Sequence, residues 1–236
     1  MFSEKLSTTI KREITKDWSE LFVHFLVYNP MQLLRRYGCL LQCISLDRNT
    51  SNDEYLPVHH FFNLANPLQD TIVFSAYTVL LTKRHQVEDY VSIYRHRNNI
   101  DDIVLEFKKQ VPALEKGNLK GTEIIDSYNS FINKHRSNDT LYPIIQWYDI
   151  LCLLVWCEES YETKIFIDKC LNDIQKWPNN AKVEYKIQIE SFLYLSELDN
   201  QLDWITHQVN EKLVQLKISD KYTDNLLVSN HTDLSQ

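Results

Sequence analysis

The chain has 236 residues, 44% hydrophobic, 24% charged and 12% aromatic, with a formal net charge of −7. These are globular proportions, which exclude an intrinsically disordered chain, and the acidic balance argues against a general nucleic-acid binder. Only three glycines occur, Gly38, Gly117 and Gly121. Glycine supplies positive φ in tight hairpins and lets backbone approach phosphate, so its scarcity argues against a hairpin-rich β fold and against a glycine-rich phosphate loop. Neither G-x-G-x-x-G nor G-x-x-x-x-G-K-[ST] is present.

Helical periodicity runs through the chain. Ile10, Ile14, Trp18, Leu21, Phe22 and Phe25 fall on one helical face, which Asn29-Pro30 ends. Pro30 also suits the first turn of a second helix capped by Asn29, with Leu33, Leu34, Tyr37, Leu40, Leu41 and Ile44 as its buried stripe. A polar loop covers 47–52 and an irregular aromatic stretch 56–67. From Asp70 a long helical pattern extends to Arg97 through Val73, Tyr77, Leu80, Val87, Tyr90, Val91 and Tyr94, with a break near Arg84. After a turn at 98–101, a short helix ends near Pro112. Gly117 to Gly121 reads as a flexible joint, and Thr122 caps the next helix. A polar loop follows at Ser137–Thr140.

Residues 141–157 are apolar almost all round, the mark of a central buried helix. Tyr161 to Trp177 follows, ended by Pro178. Residues 183–189 alternate like a strand but are assigned to helix, because the pattern after them is helical. Leu195, Leu198, Leu202, Ile205, Val209, Leu213 and Leu216 then approximate an a/d heptad seam. The last stretch, 219–236, is a polar tail. The expected fold is therefore all-α, an irregular bundle of about eight to ten helices with a long heptad-like C-terminal helix. It divides into an Arg-rich subdomain 1–116 and an acidic subdomain 117–218, or forms a single domain.

Five cysteines, no apolar leader in Met1–Lys5 and no apolar run of membrane-spanning length lead to an expectation of a soluble cytoplasmic protein with free thiols. Residues 1–100 hold eleven Lys+Arg against ten Asp+Glu, and the remainder fourteen against twenty-two. The abundance of Ile, Asn, Lys and Tyr suggests an AT-rich gene, which fits a bacterial defence or mobile-element system.

Three groups of residues invite a function. The Leu195–Leu216 seam offers a face for a helix of another chain, or packs on the protein's own body. Lys83, Arg84, Arg95 and Arg97, with Tyr90 and Tyr94 between them, form a basic-aromatic stripe for phosphates or an acidic partner, or a solvated helix face. Cys39 and Cys43 with His59 and His60 offer four N/S donors of the kind that hold zinc, but no C-x-x-C knuckle occurs. No metal site and no cofactor is expected.

Ile103-Val104-Leu105-Glu106-Phe107-Lys108 resembles the apolar-E-x-K strand of PD-(D/E)xK nucleases. The resemblance implies a Mg²⁺ site using Glu106 with Asp102 or Asp89, and Lys108 near the attacking water. The same residues also read as a capped amphipathic helix. No nucleophile motif is found. The sequence thus points first to a non-catalytic helical adaptor or accessory subunit that binds another protein chain, with no membrane partner. The alternatives are a divergent Mg²⁺ nuclease and a nucleic-acid-contacting subunit.

Overall fold

The computed structural model describes residues 5–136 and 142–218. Helix α1 (Thr8–Leu21) opens where the Ser7 hydroxyl accepts the Ile10 N–H at 3.3 Å. A run of strands follows: β1 (Leu26–Asn29), β2 (Gln32–Tyr37), β3 (Leu40–Arg48), β4 (Glu54–Asn63), β5 (Ala76–Val79) and the short β6 (Val91–Ser92). The rest is helical: α2 (Ile93–Gln110), a 3₁₀ turn at Pro112–Leu114, α3 (Gly121–Arg136), α4 (Ile144–Trp156), α5 (Ser160–Lys176), α6 (Asn179–Glu184), α7 (Lys186–Glu197) and α8 (Gln201–Gln215).

The strands form one antiparallel sheet in the order β1-β2-β3-β4-β5, with β6 pairing β4 beside β5. The protein is thus mixed α/β, which corrects the all-α helical bundle expected from the sequence. The stripe Leu33, Leu34, Tyr37, Leu40, Leu41 and Ile44 belongs to β2 and β3 rather than to a helix. The error has a physical source. A strand buried on both faces carries a near-continuous apolar run, which periodicity alone does not separate from a buried helix. Glycine scarcity also misled, because the chain places other residues in the left-handed region: Met31 at φ 76, Asn52 at φ 56 and Gln86 at φ 53. Met31 follows Pro30 in the β1–β2 turn, and its N–H donates to Thr15 Oγ1 at 2.7 Å, which fixes that turn to α1. Gly38 alone meets the glycine rule. It lies at φ +52 in the β2–β3 turn, and a Cβ there would run into the Trp156 indole.

Both faces of the sheet are covered. On one face Leu33, Ile44, Leu46 and Tyr55 pack with Trp18 and Phe22 of α1 and with Phe107 of α2. At the other end of that face Tyr37, Leu40 and Phe61 meet Tyr128 of α3. The opposite face presents Leu34, Leu41, Cys43 and Phe62 to the cluster built by α4, α7 and α8. The two clusters share the sheet across the 1–116 and 117–218 division. Helix α4 is buried along most of its length and central, as its all-round apolar sequence suggested. The 183–189 stretch is helical, broken at Tyr185 between α6 and α7. The Gly117–Gly121 joint is anchored: the Tyr37 hydroxyl donates to Gly117 O at 3.0 Å. The expected loop at 137–140 and the tail at 219–236 lie outside the described residues.

Candidate functional site: a cleft beside the open sheet edge

A cleft of ≈ 1120 Å³ lies between β5, the end of α2 and α3. Its floor is the sheet face carrying His59, Phe61, Ala76 and Thr78. Helix α3 forms one wall with Asp126, Ser127, Ser130 and Phe131, and the segment from Gln110 to Lys116 forms the other.

Alongside the floor, on the same sheet face, lies a buried polar row. Arg35 on β2 is 2% exposed. Its Nη2 donates to Ala113 O at 2.8 Å, its Nη1 to Lys116 O at 2.6 Å and its Nε to Gln42 Oε1 at 2.5 Å. Its guanidinium carbon sits 4.5 Å from the Phe25 ring centroid and 5.0 Å from that of Tyr37. Burial lowers its pKa to about 10, with Tyr37 acting the other way, so Arg35 is a cation at neutral pH. This arginine ties the wall at 113–116 to the sheet.

Gln42 extends the row. Its Oε1 is occupied by Arg35, so its Nε2 faces His59 Nε2 at 2.8 Å. An amide nitrogen only donates, so His59 Nε2 accepts and the ring proton sits on Nδ1. Burial, then the neighbouring His60 and Arg35, push the His59 pKa down to about 3, which keeps it neutral. His60 points to the opposite face, where its Nε2 lies 3.0 Å from Ser45 Oγ. The two histidines therefore never converge with Cys39 and Cys43 on one face. Among the described residues no group of three or more His, Cys, Asp and Glu side chains is placed to hold a metal ion.

The edge of β5 borders this cleft. The Leu80 N–H donates to Pro57 O at 2.9 Å, which fixes Leu80 as a residue bonded to β4. In an antiparallel ladder bonded and non-bonded pairs alternate. Thr78 and Ala76 therefore also turn their backbone groups to β4, while Tyr77 and Val79 turn theirs outward. Across β4 the same alternation holds, since the Leu64 N–H donates to Cys39 O at 2.9 Å. Leu81, next along the outward set, is satisfied by a side chain: its N–H donates to Gln110 Oε1 and its carbonyl accepts from Gln110 Nε2, each at 2.9 Å. Beyond Tyr77, Phe131 and His135 of α3 close the opening, with ring centroids 5.3 and 6.3 Å from Tyr77.

A second buried polar group lies behind the cleft. Asp149 on α4 accepts from Asn63 Nδ2 at 3.0 Å and from the Tyr128 hydroxyl at 3.1 Å. Burial raises its pKa to about 6 against the pull of hydrogen bonds from Ser75, Asn63 and Tyr128. These bonds join α4, β4 and α3 in the interior, away from the opening.

The residues singled out from the sequence are placed differently. The seam does not form one helix: α7 stops at Glu197, Leu198 is extended, and α8 begins at Gln201. Leu195, Ile205, Val209 and Leu216 are buried, and Leu202 and Leu213 pack against the same core. Leu198 is half-buried between the helices. The partner-binding face expected there is thus the chain's own core, because the apolar stripe is used up on α4 and the sheet.

Lys83, Arg84 and Arg95 gather at a second cleft of ≈ 600 Å³ with Asp89, Asp102 and Glu106. They do not share a helix, since Lys83 and Arg84 lie in the loop before β6 while Arg95 lies in α2. Their charge is largely answered locally. Lys83 pairs with Glu106 at 3.1 Å, Arg95 takes both Asp89 oxygens at 2.5 and 2.7 Å, and Arg97 meets Glu13 at 3.6 Å. Arg84 is exposed beside them.

The nuclease-like segment is helical, not a strand. Glu106 is held by Lys83 and by Gln110, while Lys108 turns away, its Nζ donating to Leu21 O at 3.1 Å and lying 4.9 Å from the Phe22 ring. The apolar-E-x-K resemblance therefore does not carry over as a metal-and-water site.

Sequence reasoning missed Arg35, Gln42, Tyr77, Val79, Gln110 and Ser130. Arg35, Gln42, Tyr77 and Val79 lie on strands read as helix, and Gln110 and Ser130 lie on helices where nothing local marks them. Compared with protein-family models, curated proteins and solved structures, the chain matches none of them. No described helix is long and apolar enough to cross a membrane, and the five cysteines are unbridged.

Proposed function

We propose that this protein is a non-catalytic interaction module, an adaptor or accessory subunit, that holds a segment of another protein in the β5–α3 cleft. The observation that carries this is the union of a ≈ 1120 Å³ opening with a strand edge and the exposed rings of Tyr77 and Tyr90. Such clefts accept chain segments more readily than flat surfaces do. The polar groups of its floor are spent on one another: Arg35 on carbonyls, Gln42 on Arg35 and His59. They brace the walls.

The test is selection of phage-displayed random dodecapeptides on the full chain. Selected clones are then compared on the wild type and on Ser130→Trp, which fills the opening from an exposed position on α3. Clones that lose binding on a folded Ser130→Trp protein support the cleft as the docking site. Failure to enrich any clone, or binding indifferent to Ser130→Trp, overturns it.

A further inference from the structure

We infer that the partner segment docks as an added β-strand on the free edge of β5, pairing its main chain with Tyr77 and Val79, and that it carries a lysine or arginine. The inference rests on the cleft being the docking site proposed above.

A sheet edge exposes a row of unpaired N–H and C=O groups, and natural proteins usually cover it. Here the cover is partial and instructive. At Leu81 the Gln110 carboxamide presents one acceptor and one donor to the strand, each at 2.9 Å. A carboxamide is chemically a peptide group, so Gln110 occupies the place where a neighbouring strand's peptide unit would lie. At the other end Phe131 and His135 stand over Tyr77. Between these stops the outward backbone groups of Val79 and Tyr77 face the cleft without a hydrogen-bond partner among the described residues. From Tyr77 to Leu81 an extended chain spans about 13 Å, enough to pair a segment of about four residues.

Side chains of such a strand would alternate across the sheet. Those on the cleft side would stand beside Thr78. Those on the other side would meet Tyr77. The opening is lined by two exposed carboxylates, Glu88 and Asp126, and one exposed ammonium, Lys134, while Glu123 is bridged to Lys116. With a chain charge of −7 the field favours a cationic segment. Backbone pairing would supply affinity with little sequence demand, and the carboxylates would supply the preference.

The experiment uses the peptides selected above, synthesised and measured by fluorescence anisotropy on the full chain. Val79→Pro removes one outward N–H while leaving every bond from β5 to β4 in place, because Val79 does not pair with β4 through its N–H. Loss of that donor leaves a peptide carbonyl unmatched, so affinity should fall about tenfold or more with the melting temperature unchanged. Selected sequences should be enriched in Lys and Arg, and Asp126→Lys should reverse the preference.

As a reading that needs no variant, hydrogen exchange at the Tyr77 and Val79 amides of the wild type should slow when peptide is added. Equal affinity on folded Val79→Pro, or unchanged exchange at both amides, overturns strand pairing while leaving the cleft reading intact. Peptides without Lys or Arg preference overturn the charge assignment. If no clone is sensitive to Ser130→Trp, both readings fall together.

Discussion

Tyr55→Phe is the sharpest test of how the sheet is held to its N-terminal helices. Tyr55 sits on β4 at the centre of a chain of side chains. The Trp18 indole N–H donates to the Tyr55 oxygen at 3.1 Å, and the Tyr55 hydroxyl donates to His96 Nδ1 at 2.7 Å. His96 Nε2 then carries the ring proton and donates to Asp17 at 3.0 Å. Trp18 and Tyr55 are 0% exposed and His96 1%. The variant keeps the ring and its packing against Trp18, so little apolar burial changes. What it does is orphan one buried donor, the indole N–H, and one buried acceptor, Nδ1. Each of the two orphans costs about 1–3 kcal/mol, so the expected loss is about 2–6 kcal/mol. For a chain of this length that lowers the melting temperature by roughly 4–24 °C. Urea unfolding followed by tryptophan fluorescence and by circular dichroism measures it. A Trp18→Phe/Tyr55→Phe double variant should be less damaged than the sum of the single ones, because the pair shares one bond. A loss below about 0.5 kcal/mol for Tyr55→Phe would refute the reasoning, since that is the range of surface substitutions with no buried partner.

Three further outcomes are expected. His59 and His60, both with pKa pushed down to about 3 by burial, contribute stability that is present above pH 6.5 and lost as pH falls towards 3. Asp149 acts in the opposite sense: its pKa, raised to about 6, gives stability that is full below about 4 and lost as pH rises through 6. Considering these three groups, between pH 4 and 6 the unfolded chain binds one more proton than the folded one, a slope of about 1.4 kcal/mol per pH unit. Asp149→Asn removes the opposing proton. It should steepen that slope to about 2.7 kcal/mol per pH unit and leave the protein as stable or more stable at pH 8. Urea midpoints across pH 4–8 decide this, and an unchanged slope would remove Asp149 as a titrating buried group. Asp149→Leu, which orphans Asn63 Nδ2 and the Tyr128 hydroxyl, should instead destabilise by about 2–6 kcal/mol near pH 4, and by less at pH 8, where the wild type also bears the cost of ionising the buried carboxyl. Gly38→Ala should cost about 2–4 kcal/mol by urea unfolding, because positive φ and the Trp156 indole oppose the new methyl. A near-neutral result would mean that the β2–β3 turn moves freely away from α4.

Much of the helical part was legible in the amino-acid sequence. α3, the buried α4 and α5 lie where apolar spacing placed them, since a helix writes its environment into a local period of 3.6, whereas α1 stops at Leu21 short of Phe25 and the expected 195–216 helix is split between α7 and α8. The kink in α2 at Asn99, φ −141 and ψ 24, falls on the turn expected at 98–101. The sheet was not legible. Leu33-Leu34 and Leu40-Leu41 are apolar at adjacent positions because both faces of the sheet are covered, and that erases alternation. The polar loop expected at 47–52 does fall at the β3–β4 connection, but nothing marked it as a hairpin, because Met31, Asn52 and Gln86 stand where glycine was sought.

The candidate site was least legible of all. Arg35 looks like a surface charge until the 113–116 wall folds over it. Tyr77 and Val79 become distinctive only when pairing with β4 settles which way their backbone groups point. Conversely, the Leu195–Leu216 seam looked like an interface because an apolar stripe does not say what covers it. Local period therefore located α3, α4 and α5, but it also marked as helical the stretches 30–44 and 70–92, which hold β2, much of β3, β5 and β6. Which strands pair, which edge stays open and which apolar face is used internally are long-range matters, decided only when residues far apart in the chain compete for the same burial and the same hydrogen bonds.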